Sequence, residues 1–307
     1  MTADVDTLNE RHINVGNGHK IYVQDWGDST AKTPILFLHG GPGSGCKDTD
    51  KLRFDASTNR VIFIDQRGSG NSTPTGETAT NTTSDLVADI DTVLDTLAIK
   101  KVVIVGGSWG SALALAYGIT NPDRVGGMVL DGILTATRAQ LDWLEKGQWR
   151  TLFPEVWEEL CAGVPEKYKH DPIAYHYEKV RVGNKEVKKR SVYEVIKAEA
   201  ALLSLDKTYR LPPYEDFDPG PGLIELHYSM NGFFLANDYL LKNAKKLSMP
   251  IYLIQGRYDM VCTPSAAYEL DQRLPNSRLI WTINGHSKAH EAANIQQLLI
   301  SRLKGNI

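Results

Sequence analysis

The chain has 307 residues, 42% hydrophobic and 23% charged, with a formal net charge of −3, enough for one large folded domain or a domain carrying an insertion. Its lysines and arginines are scattered rather than gathered into a stripe with interleaved aromatics, which argues against nucleic acid as a partner. No apolar run reaches the roughly 18 residues of a membrane span, and Cys46, Cys161 and Cys262 are too far apart to suggest a disulfide scaffold.

The opening stretch MTADVDTLNERHINVGNGHK has no charged region leading into an apolar one, so no secretory signal is expected and the expected location is cytoplasmic. HKIYVQDWG, PILFLHGG and RVIFIDQRG then read as strands closed by glycine-rich or charged turns. In SDLVADIDTVLDTLAI the apolar residues Leu86, Val87, Ile90, Val93, Leu94 and Leu97 keep a helical period, with Thr82, Thr83 or Ser84 available as cap. KVVIVGG predicts a strand, SWGSALALAYGIT a helix ending before Pro122, and GGMVLDGI a further strand. This alternation implies a mostly parallel central sheet covered on both faces.

From residue 135 to 243 the alternation stops, and segments such as QLDWLEKGQWRTLF and SVYEVIKAEAALLSL read as helices. The basic run KEVKKR within it reads as a solvated helix start or loop. MPIYLIQG, SAAYELDQRL, SRLIWTING and HEAANIQQLLISRLKG then restore strand, helix, strand, helix. The reading is an α/β core of residues 1–134 and 244–307, with a helical cap of residues 135–243 inserted before the last core strands. Two strands are too few for a separate sheet and fit better at the edge of the first.

Ser108 lies in GGSWG, between the strand VVIVG and the helix SALALA, the context of a G-x-S-x-G nucleophile elbow. Small neighbours let strand and helix approach, and the hydroxyl then stands at a helix N-terminus that favours developing negative charge. A serine needs a base, and the base an orienting acid. Asp259 follows the strand IYLIQG and His286 follows LIWTING, so Ser108, Asp259 and His286 occur in the order of an α/β-hydrolase triad. His290 is an alternative base, although it falls in the following helix. Asp65 precedes the serine and reads as a structural acid of the DQRG turn.

The backbone N–H groups of Gly41 and Trp109 are the candidate oxyanion hole. His39 is expected to donate to backbone around the HGGPG loop. GGPGSG lacks the GK[ST] of a phosphate-binding loop, no G-x-G-x-x-G follows a strand, and HSKAH lacks the acid of a zinc motif. No metal and no cofactor are expected. Cys262 reads as inert packing.

These segments together resemble the proline iminopeptidases, serine peptidases of the α/β-hydrolase class. The resemblance rests on HGGPG (39–43), DQRGSGNS (65–72), NTTSDLVADI (81–90), GGSWGSALALAY (106–117), NGFF (231–234), QGRYDMVC (255–262) and GHS (285–287), and runs from about residue 13 to 303. It implies release of an N-terminal residue, preferentially proline, from short peptides with a free N-terminus. It also implies that cap glutamates Glu199 and Glu225 hold the substrate amino group. Two positions depart from the family: Ala198 precedes Glu199 where tryptophan is usual, and Ser69-Gly70-Asn71-Ser72 replaces Cys-Gly-Arg-Ser. The alternatives are an amino-acid amidase or esterase using the same triad, and a non-catalytic binder, which would be free to lose any triad member.

Overall fold

The computed structural model describes residues 8–205, 211–287 and 290–305. Among them, eight strands form one sheet: β1 (Leu8–Gly16), β2 (His19–Gly27), β3 (Ile35–Leu38), β4 (Arg60–Asp65), β5 (Val102–Ser108), β6 (Val125–Ile133), β7 (Ile251–Gly256) and β8 (Ser277–Thr282). Their spatial order is β1-β2-β4-β3-β5-β6-β7-β8. The β1–β2 and β2–β4 pairs are antiparallel, and every other pair is parallel.

The apolar runs of the central strands divide by residue parity, as alternation across a pleated sheet requires. Leu36, Leu38, Ile62, Ile64, Val102 and Ile104 pack on one face against α2 (Thr83–Thr96) and α3 (Trp109–Thr120). Ile35, Phe37, Val61, Phe63, Val103 and Val105 join Leu299, Ile300 and Leu303 of the last helix on the other. Burial on both sides explains why these segments are apolar throughout rather than alternating. The cap of α2 is Thr82, whose hydroxyl accepts from Asp85 N–H while Asp85 accepts from Thr82 N–H, a reciprocal arrangement that satisfies two helix-end donors.

The remaining helices are α1 (Asp48–Lys51), α4 (Arg138–Glu145), α5 (Pro154–Ala162), α6 (Pro172–Val182), α7 (Lys185–Ala200), α8 (Gly220–Met230), α9 (Tyr239–Asn243), α10 (Pro264–Asp271) and α11 (His290–Gly305). Between β6 and β7 the described residues form helices and turns without a strand. KEVKKR opens α7 with exposed or half-buried side chains, and Asn184 caps it through the Val187 N–H. β7 and β8 extend the sheet from β6, at the edge opposite β1.

Polar bonds seat this helical segment on the sheet side. Tyr228 OH donates to Asn81 Oδ1 at 2.9 Å, His227 Nε2 meets Asn81 O at 3.0 Å, and Trp143 Nε1 donates to Met260 O at 2.7 Å. The Thr83 hydroxyl donates to the Phe233 carbonyl, and Ser287 N–H to the Leu203 carbonyl.

Candidate active site

Strands β5 to β8 are parallel neighbours, so their carboxyl ends reach one edge of the sheet, the place where open α/β sheets bind ligands. Ser108 ends β5 at φ 55° and ψ −126°, and its side chain makes no capping bond to α3. A non-glycine residue at such angles is strained and is held by its surroundings. The flanking glycines allow it: a Cβ on Gly106 would lie 2.5 Å from Gly110 O, and one on Gly110 would lie 2.1 Å from Leu38 O. Strand, elbow and helix are therefore closer than any larger side chain permits.

Asp259 is buried beyond the end of β7. Its Oδ1 accepts from Val261 N–H (2.9 Å) and Cys262 N–H (2.8 Å), and its Oδ2 accepts from Gln255 Nε2 (3.3 Å). The same Oδ2 lies 2.9 Å from His286 Nδ1, a bond that fixes the imidazole so that Nε2 is left to act. Burial disfavours the imidazolium, but the Asp259 carboxylate outweighs it and holds the His286 pKa well above the ordinary histidine value. Ser108 and His286 line one cavity of about 390 Å³ together with Gly40, Ser44 and Ser287. The Cys262 thiol stands within hydrogen-bonding reach of both, and its burial pushes its pKa up, so it remains a thiol. The side chain of His290 lies outside the described residues.

The loop after β3 packs directly on the elbow, where a Cβ on Gly40 would touch Ser108 Cβ at 3.3 Å. Gly41 follows at φ +104°. His39 Nδ1 donates to Gly40 O at 2.9 Å, and its Nε2 accepts the Gln66 N–H at 3.0 Å. Burial lowers the His39 pKa, consistent with a neutral ring in that tautomer. Gln66 continues the chain, donating to His39 O at 2.9 Å and accepting from Trp109 Nε1 at 2.7 Å. Trp109 also stacks on Phe233, with centroids 5.4 Å apart, and meets Tyr228 at 4.9 Å. A large indole beside the serine thus locks the elbow, the loop after β3 and the helical segment to one another. As the first residue of α3, Trp109 has a backbone N–H without an intrahelical partner.

Asp65 anchors the DQRG turn as expected, accepting from Cys46 N–H at 2.7 Å and Asn71 N–H at 2.8 Å. Asn81 ties the same turn to α8, donating to Arg67 O and Glu77 O. Near His286, the carboxyls of Glu225 and Glu199 hydrogen-bond each other. Burial first, then the nearby Glu199 charge, raise the Glu225 pKa well above the usual carboxylate range, and His286 pulls it back slightly. Glu225 is thereby favoured in its protonated form beside Glu199.

The positioning residues Gln66, Asn81 and Gln255 were not anticipated from the sequence. Each is a polar residue at a strand end or turn, and its role depends on partners remote in the chain. Their signal was weak: an uncharged amide directly beside a motif residue, as in Asp65-Gln66 and Gln255-Gly256.

A model of the α/β hydrolase fold matches residues 33–287. A probable proline iminopeptidase from Leptolyngbya boryana is 36% identical over 286 residues, covering 92% of this chain and 89% of the relative. The proline iminopeptidase of Neisseria gonorrhoeae is 35% identical over 283 residues, covering 90% and 89%. Among solved structures, the proline iminopeptidase of Mycobacterium smegmatis superposes with a TM-score of 0.66 at 18% identity, covering 96% of this chain and 99% of that one. A thermophilic esterase from Thermogutta terrifontis also reaches 0.66 at 18% identity, covering 97% and 98%. The structural likenesses establish the fold, and the sequence relatives with the site geometry go further: the chain belongs to the proline iminopeptidase family of α/β hydrolases.

Proposed function

We propose that the protein is a serine aminopeptidase that releases the N-terminal residue, preferentially proline, from short peptides through an acyl-enzyme. The observation that carries this reading is the Glu199–Glu225 carboxyl pair held close to His286. A simple esterase has no use for two half-buried carboxyls side by side, whereas a substrate ammonium supplies the cation they lack.

In this reading the free amino group enters between Glu199 and Glu225. Ser108 Oγ attacks the first carbonyl carbon while His286 Nε2 takes the hydroxyl proton. Asp259 orients the ring, and the N–H groups of Gly41 and Trp109 hold the oxyanion. The C–N bond then breaks, His286 returns the proton to the leaving amine, and the shortened peptide departs. Water, deprotonated by His286, hydrolyses the acyl-serine ester and frees the amino acid. The site residues and a cytoplasmic setting are part of this proposal.

The test compares prolyl arylamide with its N-acetylated form in wild type, Ser108→Ala and Glu225→Gln. Wild type should cleave the free form at least about a hundredfold better, Ser108→Ala should be inactive, and Glu225→Gln should lose most of the preference. Equal cleavage of both forms by wild type would favour the broader amidase or esterase. Full turnover by Ser108→Ala would remove the serine mechanism altogether.

A further inference from the structure

Beside the Glu199–Glu225 pair a narrow cavity enters the helical segment between Leu141, Leu144, Ile173 and Phe233. Its polar groups are Glu199, Glu145, Tyr177 and Ser229. The phenol of Tyr177 hydrogen-bonds Ser229 and feels the charges of Glu145, Glu199 and Glu225; the first two of these acids line the cavity itself and Glu225 lies near it. The amino-group clamp accounts for two of them. Glu145 is the third.

Glu145 lies at the end of α4, with its side chain 16% exposed. Its Oε2 accepts from Arg138 Nη2 at 2.8 Å, and among the described residues its Oε1 has no hydrogen-bond partner. Arg138 is shared: its Nε and Nη2 also donate to Asp142, at 2.9 and 2.5 Å. The nearby cations are engaged elsewhere, Lys146 with Asp171 at 3.0 Å and Arg181 with Glu178 at 3.6 Å. One guanidinium cannot balance two carboxylates, so with Glu145 and Asp142 both ionised this wall carries an unmatched negative charge beside the Glu199–Glu225 pair. A prolyl N-terminus brings a single positive charge and leaves the second unmet.

We propose that Glu145 is a specificity determinant for the N-terminal residue, favouring a first side chain with an apolar stem and a cationic tip, such as ornithine or lysine, over uncharged chains of equal length. This rests on the aminopeptidase reading. The stem lies against the leucines and Phe233, and the ammonium meets Glu145, Tyr177 OH and Ser229, a division of surface that long cationic side chains suit. Discrimination follows because the uncharged isostere leaves the carboxylate with only the arginine it shares with Asp142.

The experiment measures kcat/KM for ornithyl and norvalyl arylamides, with prolyl arylamide as reference, in wild type, Glu145→Gln and Arg138→Met. Wild type should prefer ornithyl by roughly tenfold or more. Glu145→Gln should bring the ratio close to one, mainly through KM for the ornithyl substrate. Arg138→Met should raise the ratio by releasing Glu145, so the proposal remains testable even if the glutamine variant folds poorly. A wild-type ratio near one, or a ratio unchanged by Glu145→Gln, overturns it. If prolyl and norvalyl arylamides turn over without an ornithyl preference, this inference alone fails. If no free aminoacyl arylamide is cleaved, the aminopeptidase reading fails with it.

Discussion

In the proposed mechanism His286 must be neutral before it can take the Ser108 proton, and Asp259 makes the neutral form harder to reach. The histidine pKa is raised in the folded protein, so the ascending limb of kcat/KM should lie above the ordinary value of about 6.5. Asp259→Asn removes the charge that raises it. The limb should move to lower pH while kcat falls by about 10⁴, since the amide also permits the wrong tautomer; a pH–rate series on prolyl arylamide measures both. An unmoved limb would mean that another group titrates. At this scale the proposed triad stands out in the sequence because each member ends or follows an apolar strand. The elbow's Trp109 read as no more than a backbone donor, because its bond to Gln66 joins positions that nothing in the local pattern connects.

The elbow owes its tightness to contact between elements, α3 against the end of β3, rather than to its own turn chemistry. Gly110→Ala places a methyl against the Leu38 carbonyl, backbone that cannot swing aside. The expected cost is about 1–3 kcal/mol in urea unfolding, with a larger proportional loss of activity because Ser108 is displaced. A variant with wild-type stability and rate would show that the helix can back away freely. Strand β1 shows how an element escapes a sequence reading. LNERHINVG is polar at most positions and mostly exposed, so its hydrophobic signal was faint. Yet Gly16, Asn17 and Gly18 all have positive φ, and the Asn-Gly pair before HKIYVQDWG is the one strong mark of the hairpin. The inner strands were legible for the opposite reason, being buried on both faces.

Across the molecule, the helical segment carries its own acid sensitivity. His176 in α6 is buried, has no well-formed hydrogen bond to either ring nitrogen among the described residues, and has a pKa lowered to about 4 by burial. The unfolded chain therefore binds this proton first as pH falls. Stability should decline from about pH 6.5 to about pH 4, by up to about 3 kcal/mol, and no further from this group below that. His176→Phe should flatten this decline in urea melts at pH 4.5 and 7, whereas an unchanged slope would assign it to other groups. The break in β-α alternation made the helical segment visible in the sequence, but the acid-lined cavity inside it was not, since a glutamate on a helix gives no sign of which way it faces. β6 and β7 are hydrogen-bonded neighbours, Asp131 beside Ile254, so the whole helical excursion replaces one ordinary crossover. Grafting or trimming it leaves the strand order intact, and a lineage can therefore acquire a new diet while inheriting the same cutting machinery.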